Sequence, residues 1–194
     1  MKTHKKKKEI LNHAVSLLQE LGVQKLNVRM LAKRSGCSLG TIYNAFESFD
    51  DVLLHLKVQA FNELYVVLDR ALQKALIKHG RSLEDTIEQL GWAYMQFAKE
   101  NRPYWDVLLN NRLEKSPQWY HDHVKGKLKA IEESLMMEYA IDEKKAHRVV
   151  TYFWAVVHGI CSITLNHSLQ VVEDEVDEQY IQQYIGRCFK GLLV

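Results

Sequence analysis

Residues 27–46 read NVRMLAKRSGCSLGTIYNAF. Two short helical patterns flank a tight turn. Asn27 is a good N-cap for the first, because its side chain accepts from a backbone N–H one turn on. Val28, Leu31 and Ala32 then fall at helical spacing. Gly36 stops that helix, since the residue after a helix end commonly needs positive φ, which glycine adopts cheaply. Ser38 caps a second helix, whose inward side carries Ile42 and Phe46. The connection spans only about three residues, so the helices must cross steeply, as in a helix-turn-helix. Ala32 lets the helices approach, Gly36 turns the chain and Ile42 fills the gap between them. An ordinary helical hairpin shows one or two of these features; the joint spacing is what discriminates.

At 194 residues the chain is long enough to bury a real core in one or two domains. Its 47% hydrophobic and 26% charged composition is that of an ordinary globular protein. Two prolines and nine glycines leave little room for linkers. Long amphipathic runs dominate, and the expected class is all-α with about nine helices. No internal repeat and no apolar run of about 18 residues is present. The net charge of +2 is unevenly spread: residues 1–50 carry +5 and residues 51–194 carry −3. A basic end on a mildly acidic body suits docking of that end on a polyanion. Cys37, Cys161 and Cys188 are odd in number and widely spaced, which implies neither a disulfide framework nor a zinc site and fits a reducing cytosol. The apolar run Ile10–Leu18 is interrupted by Asn12, His13 and Ser16 and lacks a small-residue cleavage site, so no signal peptide is expected.

Residues 2–8 read as a frayed basic arm: either a solubilising lysine run, or Lys5, Lys6 and Lys7 laid along phosphates. A scaffolding helix follows from about residue 5 to Leu21, with Ile10, Ala14, Leu17, Leu18 and Leu21 on one stripe and Gly22 at its end. Ser48 and Asp51 form a capping box opening a long helix to about Lys78, stopped by His79-Gly80. Ser82 and Asp85 open another to about Asn101. Pro103 suits the first turn of a short helix, PYWDVLLNNRL. Further helices are expected from Ser116-Pro117 to about Tyr139, from Glu143 (capped by Asp142) to about His167, and from about Glu175 to Leu193.

The stretch ILNHAVSLLQELGVQKLNVRMLAKRSGCSLGTIYNAFESFDDVLLHL resembles, nearly end to end, the DNA-binding domain of the tetracycline-repressor (TetR) family. The likeness rests on the first helix ending at Gly22, the Asn27-Val28-Arg29 helix start, Gly36-Cys37-Ser38, the run Gly40 to Phe46 and the helix after Ser48. It covers roughly the first quarter of the chain. It implies a division into a DNA-binding domain, residues 1–50, and a regulatory, ligand-binding and dimerisation domain, residues 51–194. The second helix of the motif would enter the major groove by its N-terminal end. Leu39, Gly40 and Thr41 would then lie nearest the bases, with Leu39 and the Thr41 methyl against thymine methyls and Asn44 on a base edge or phosphate. Tyr43 matches the family's phosphate-contacting tyrosine. Asn27, Arg29, Lys33 and Ser38 flank it, positioning the domain more than specifying sequence. Many members carry a lysine where this chain has Phe49, which is expected to pack inward.

Trp154, His158 and Gly159 form a W-x-x-x-H-G pattern resembling a branch of the family with a Trp-His-Gly motif in the regulatory domain. Trp154 and His158 share a helix face. Gly159 inside a helix points to close packing. This helix and the last one, through Trp154, Gly159, Ile181, Ile185 and Phe189, are the expected dimer interface, an isologous four-helix bundle. Aromatics concentrate over residues 92–120. Most are expected to be core; Trp92, Tyr104, Trp105 and Trp119, with Gln96, Asn110 and His158 for polarity, are the expected lining of an effector pocket.

His121-Asp122-His123 makes a poor chelate, because residues two apart do not share a helix face. No nucleophile-elbow, zincin or phosphate-loop motif is present, and neither a metal nor another cofactor is implied. The expectation is a homodimeric DNA-binding regulator, most simply a repressor released from a palindromic operator by a small apolar or aromatic effector. The alternative is an architectural or partner-recruiting DNA-binding protein without an effector.

Overall fold

The computed structural model describes residues 2–77, 82–109, 116–171, 173 and 176–190. Among these the chain is all-α. Its nine helices are α1 (Lys2–Leu21), α2 (Val28–Arg34), α3 (Leu39–Ala45), α4 (Phe49–Leu76), α5 (Leu83–Glu100), α6 (Arg102–Leu109), α7 (Gln118–Tyr139), α8 (Glu143–Leu165) and α9 (Glu178–Phe189). A 3-10 turn, Leu169–Val171, lies between the last two. The stop at His79-Gly80, the residues Asn110–Leu113, Glu175 and the expected end at Leu193 lie outside the described residues.

Helix boundaries follow local chemistry. Asn27 Oδ1 accepts from Met30 N at 3.1 Å, and Ser38 Oγ accepts from Thr41 N at 3.2 Å. Ser48 Oγ accepts from Asp51 N at 3.1 Å while Asp51 Oδ2 accepts from Glu47 N at 3.3 Å. Ser82, Asp142 and Asp177 cap α5, α8 and α9 in the same way. Each bond satisfies a helix-start N–H that has no partner within the helix. Gly22 and Gly36 take φ of +74° and +59°, the left-handed conformation that ends α1 and α2.

One expectation is corrected at the N-terminus. The lysine run is not an arm but part of α1, which starts at Lys2. Lysine is a good helix former, no breaker stands between Lys2 and Leu21, and Lys6 pairs with Glu9 one turn on at 3.4 Å.

By internal packing the chain divides into Met1–Glu63 with Asn101–Val124, and Leu64–Glu100 with Lys125–Val194. This differs from a boundary after residue 50: the first half of α4, α6 and the start of α7 group with the N-terminal helices. The first unit is built on Ile10, Ala14, Leu17 and Leu18 of α1, Leu31 and Ala32 of α2, and Ile42 and Phe46 around α3. Val52, Leu53, Leu56 and Ala60 of α4 and Val107 of α6 close that core, and Phe49 packs on it. In the second unit α5 crosses α9 closely, because both carry a glycine at the crossing. A Cβ on Gly91 would stand 2.6 Å from Ile185 Cγ2, and one on Gly186 would stand 2.7 Å from Glu88 Oε2. Ile185 and Phe189 are thereby fully buried, and Phe189 stacks on Phe153 of α8 with ring centroids 6.0 Å apart.

Candidate nucleic-acid interface and regulatory cavity

The buried side of α3 is occupied by Ile42, which leaves Leu39, Gly40, Tyr43 and Asn44 outward. Leu39 and Tyr43 are 41% and 49% exposed, side by side on this outward face. Gly40 needs no special backbone, and a Cβ there would meet only Ser38 Oγ, at 3.7 Å. Its bare backbone therefore answers no packing demand within the unit and leaves room at the surface. Arg29 and Lys33 are exposed on α2, as is the cap residue Asn27. Ser38 and Thr41 share a hydroxyl–hydroxyl hydrogen bond of 3.0 Å, so both serve the start of α3.

The lysines of α1 divide. Lys5 is exposed and Lys6 pairs with Glu9. Lys7 is turned inward, its Nζ 4.6 Å from the Phe46 ring centroid and 3.8 Å from Asp51 Oδ2. It ties α1 to the α3–α4 corner instead of projecting as expected. Arg34 is likewise engaged: its guanidinium donates to both Glu20 carboxylate oxygens at 2.6 Å, a bidentate clamp from α2 to α1. The clamp holds the Glu20 carboxyl below its ordinary range.

Beside α3 an open groove of about 1150 Å³ is lined by Tyr43, Asn44, Glu47, Asp51, His55 and Trp119, among others. His55 lies edge-on to Phe46 and stacked on Trp119, with ring centroids 5.5 and 5.0 Å away. Asp51 Oδ1 is 3.5 Å from its Nε2. Burial and the Lys7 ammonium hold His55 below the ordinary histidine range, with Asp51 pulling the other way. The neutral ring is thus the form this corner accommodates.

In the second unit α4, α5, α7 and α8 enclose a cavity of about 20 Å³. It is lined by Leu68, Leu72, Ile87, Leu90, Leu128, Ile131, Leu135, Val150, Phe153 and Trp154. No polar surface faces it. The volume is about that of one water, yet nothing in the walls would bind water. Beside it, Tyr94 Oη and His158 Nδ1 are hydrogen-bonded at 2.7 Å. Trp154 stacks on His158 (5.3 Å, 25°) and meets Tyr94 edge-on (5.8 Å, 78°). Burial, reinforced by Cys161, pushes the Tyr94 hydroxyl well above its usual range, and burial holds His158 below its own. Cys161 is itself pushed up to about 12 by burial and is an inert core thiol.

The six residues expected to line a pocket are not brought together. Trp92, Gln96 and His158 belong to the second unit, whereas Tyr104, Trp105 and Trp119 belong to the first. Tyr104 packs on the N-terminal core, Trp105 is fully buried and Trp119 covers His55. None of the six lines the cavity, and Asn110 lies outside the described residues. Trp154, expected at the dimer interface, does line it. Ile181, Ile185 and Phe189 are also corrected: they are buried within the protomer because α9 turns its apolar side onto α5. Gly159 is exposed, with open space where a Cβ would stand. It shares the outward face of α8 with Tyr152, Ala155 and Ile163. His121 and His123 face different partners, Ser116 O at 3.2 Å and Asn62 Oδ1 at 2.8 Å.

Residues 10–56 match the family model described as bacterial regulatory proteins, tetR family, and residues 87–184 match that of the tetracyclin repressor-like C-terminal domain. An uncharacterised HTH-type transcriptional regulator of Mycobacterium tuberculosis is 19% identical over 171 residues, 88% of this chain and 73% of that protein. A protein of unknown function from Rhodococcus sp. RHA1 superposes with a TM-score of 0.72 at 19% identity, covering 97% of this chain and 96% of that one. The fatty acid degradation regulator FadR from Bacillus halodurans gives 0.56 at 18% identity, with 97% and 94% covered.

Proposed function

Because the chain belongs to the tetracycline-repressor family of non-enzymatic, DNA-binding transcriptional regulators, we propose that it is a homodimeric repressor released from a palindromic operator by a small apolar effector. One observation supports the DNA-reading part: Leu39, Gly40, Tyr43 and Asn44 form an exposed outward face on α3, beside the exposed cations of Arg29 and Lys33. Leu39, Gly40 and Thr41 read base edges; Tyr43, Asn44, Arg29, Lys33 and Lys5 hold phosphates and set register. Residues 1–50 supply the reader and residues 51–194 the regulatory body, acting on the nucleoid in the cytoplasm.

Tyr152, Ala155, Gly159 and Ile163 supply the self-association face on α8, with Tyr184 and Cys188 of α9 beside them. For two chains to read an inverted repeat, their α3 helices must fall on half-sites one helical turn apart, about 34 Å. The effector enters the second unit and favours an arrangement that no longer fits that spacing; it acts only through a difference in affinity between the two states. Selection of random duplex DNA by the purified protein, with analytical ultracentrifugation of the complex, tests this. An inverted repeat bound by two chains supports it, and binding with no sequence preference refutes it.

A further inference from the structure

The open groove beside α3 belongs wholly to the first unit, since all its lining residues fall within Met1–Glu63 and Asn101–Val124. Its volume of about 1150 Å³ is ample for a small organic molecule. Two exposed rings line it, Tyr43 and Trp119. Exposed rings scattered singly need no explanation; these two share one concavity. Trp119 is held from two sides, stacked on His55 at 5.0 Å and edge-on to Tyr120 at 6.2 Å. His55 is braced in turn by the edge of the buried Phe46 ring. The indole is therefore a fixed plate with one face covered by His55, and little ordering is left for a ligand to impose on it.

The charges of the groove do not balance. Lys7 and Asp51 answer one another at 3.8 Å, and Asp51 also accepts from Glu47 N. Glu47 and Asp50 are exposed, line the same groove and have no ion-pair partner among the described residues. Asp50 lies in the first turn of α4, where a helix start favours an acid, but Glu47 stands outside both α3 and α4. The result is a local reversal of sign in the part of the chain that is otherwise basic, +5 over residues 1–50. An anion would be repelled there, and an uncharged ligand would leave the carboxylates unanswered. A bare metal ion would make no use of the rings, and no group of three metal-ligating side chains occurs among the described residues. Free carboxylates beside aromatic faces are complementary to an organic cation.

We propose that this groove binds a small planar organic cation, its rings against Trp119 and its charge answered by Glu47 and Asp50. His55 and Tyr120 are the positioning residues that hold the indole in place. The assignment concerns the first unit alone and depends neither on operator reading nor on an effector in the second unit.

N-methylacridinium and acridine at pH 8 share one ring skeleton and differ by one charge, so fluorescence titration of the whole protein with each tests the class directly. An exposed ion pair contributes up to about five-fold in affinity, and a cation over an exposed ring about as much. The cation should therefore bind at least roughly ten-fold more tightly than acridine. The double variant Glu47→Gln, Asp50→Asn keeps the shape of the surface; it should cut that preference to about two-fold or less and leave acridine binding unchanged. Trp119→Leu should weaken both probes alike. Trp119→Phe, which keeps a ring against His55, should retain the binding that Trp119→Leu loses, and melting curves of both confirm the fold. Equal binding of the two probes, a preference that survives the double variant, or binding indifferent to Trp119→Leu overturns the site. Binding of Nα-acetylarginine amide as tight as that of N-methylacridinium overturns the small-molecule assignment in favour of a basic side chain of another protein. No binding of any probe overturns both.

Discussion

Replacing Gly91 by alanine is the sharpest test of how the second unit is held together. Alanine is worth about 1 kcal/mol more than glycine inside a helix, so on propensity alone the change should stabilise α5. The new Cβ, however, would stand 2.6 Å from Ile185 Cγ2, 3.4 Å from Val157 Cγ2 and 3.9 Å from Phe189 Cε2. Ile185, Val157 and Phe189 are all fully buried, so the methyl has nowhere to retreat and the helices must part. Overpacking of this kind costs about 1–3 kcal/mol. Gly126 on α7 is the internal control: it is exposed, and its Cβ would meet nothing within 4 Å. The propensity gain is common to both, so the overpacking cost should separate them. In a chain of this size 1 kcal/mol moves Tm by about 2–4 °C. Gly91→Ala should therefore melt about 2–12 °C below Gly126→Ala by calorimetry. Gly186→Ala should fall between them, since its clash is with the Glu88 carboxylate, the far end of a flexible side chain. In a double-mutant cycle Ile185→Ala should cost less beside Gly91→Ala than in the parent. If Gly91→Ala melts with Gly126→Ala, the close α5–α9 crossing is wrong.

In the DNA-reading unit, Ile42→Ala empties a fully buried site between α2, α3 and α1. It should cost about 2–5 kcal/mol in urea unfolding and weaken DNA binding with it. The sign of the His55 effect follows from its lowered pKa: the neutral ring is stabilised, so this contribution is complete above the ordinary histidine value of about 6.5 and is lost as pH falls through the lower folded value. Urea midpoints should therefore drop between pH 7.5 and 5.5, and His55→Phe should flatten that drop; an unchanged slope would remove His55 from the account. On the outward face of α8, Ala155→Arg should convert dimer to monomer in sedimentation with the helical signal intact. A dimer that survives it would place the interface elsewhere.

How legible each part was depends on how local its cause is. The α2–α3 motif reads directly because every instruction is a near neighbour: Asn27 and Ser38 bond three residues ahead, and Gly36 turns where it stands. The inward turn of Phe49 is legible for the same reason. The α5–α9 crossing is not, because the partner that makes Gly91 necessary, Ile185, lies more than ninety residues away. Periodicity marked Ile181, Ile185 and Phe189 as an apolar stripe but could not say whether α5 or a second subunit covers it. The aromatics over residues 92–120 misled as a pocket because proximity in sequence carried them into two different units. Trp154 and His158 are visible as a pair on one face, yet the hydroxyl bonded to His158 belongs to Tyr94, one of the aromatics over residues 92–120, sixty-four residues away. The lysine run was read by its charge, although its helix propensity and the Lys6–Glu9 pair make it the first turns of α1.

The central claim is that α3 reads an operator through a face centred on Tyr43 and Gly40. The most direct test is a salt titration of binding to the selected duplex, for the parent protein and for Tyr43→Ala. The parent should bind an inverted repeat with log K falling steeply against log salt, as expected when several phosphates are neutralised. Tyr43→Ala should weaken binding across sequences alike and shift the site preference little, because a phosphate contact positions without specifying. Unchanged affinity in Tyr43→Ala, or a parent protein that shows no preferred sequence, would contradict the account.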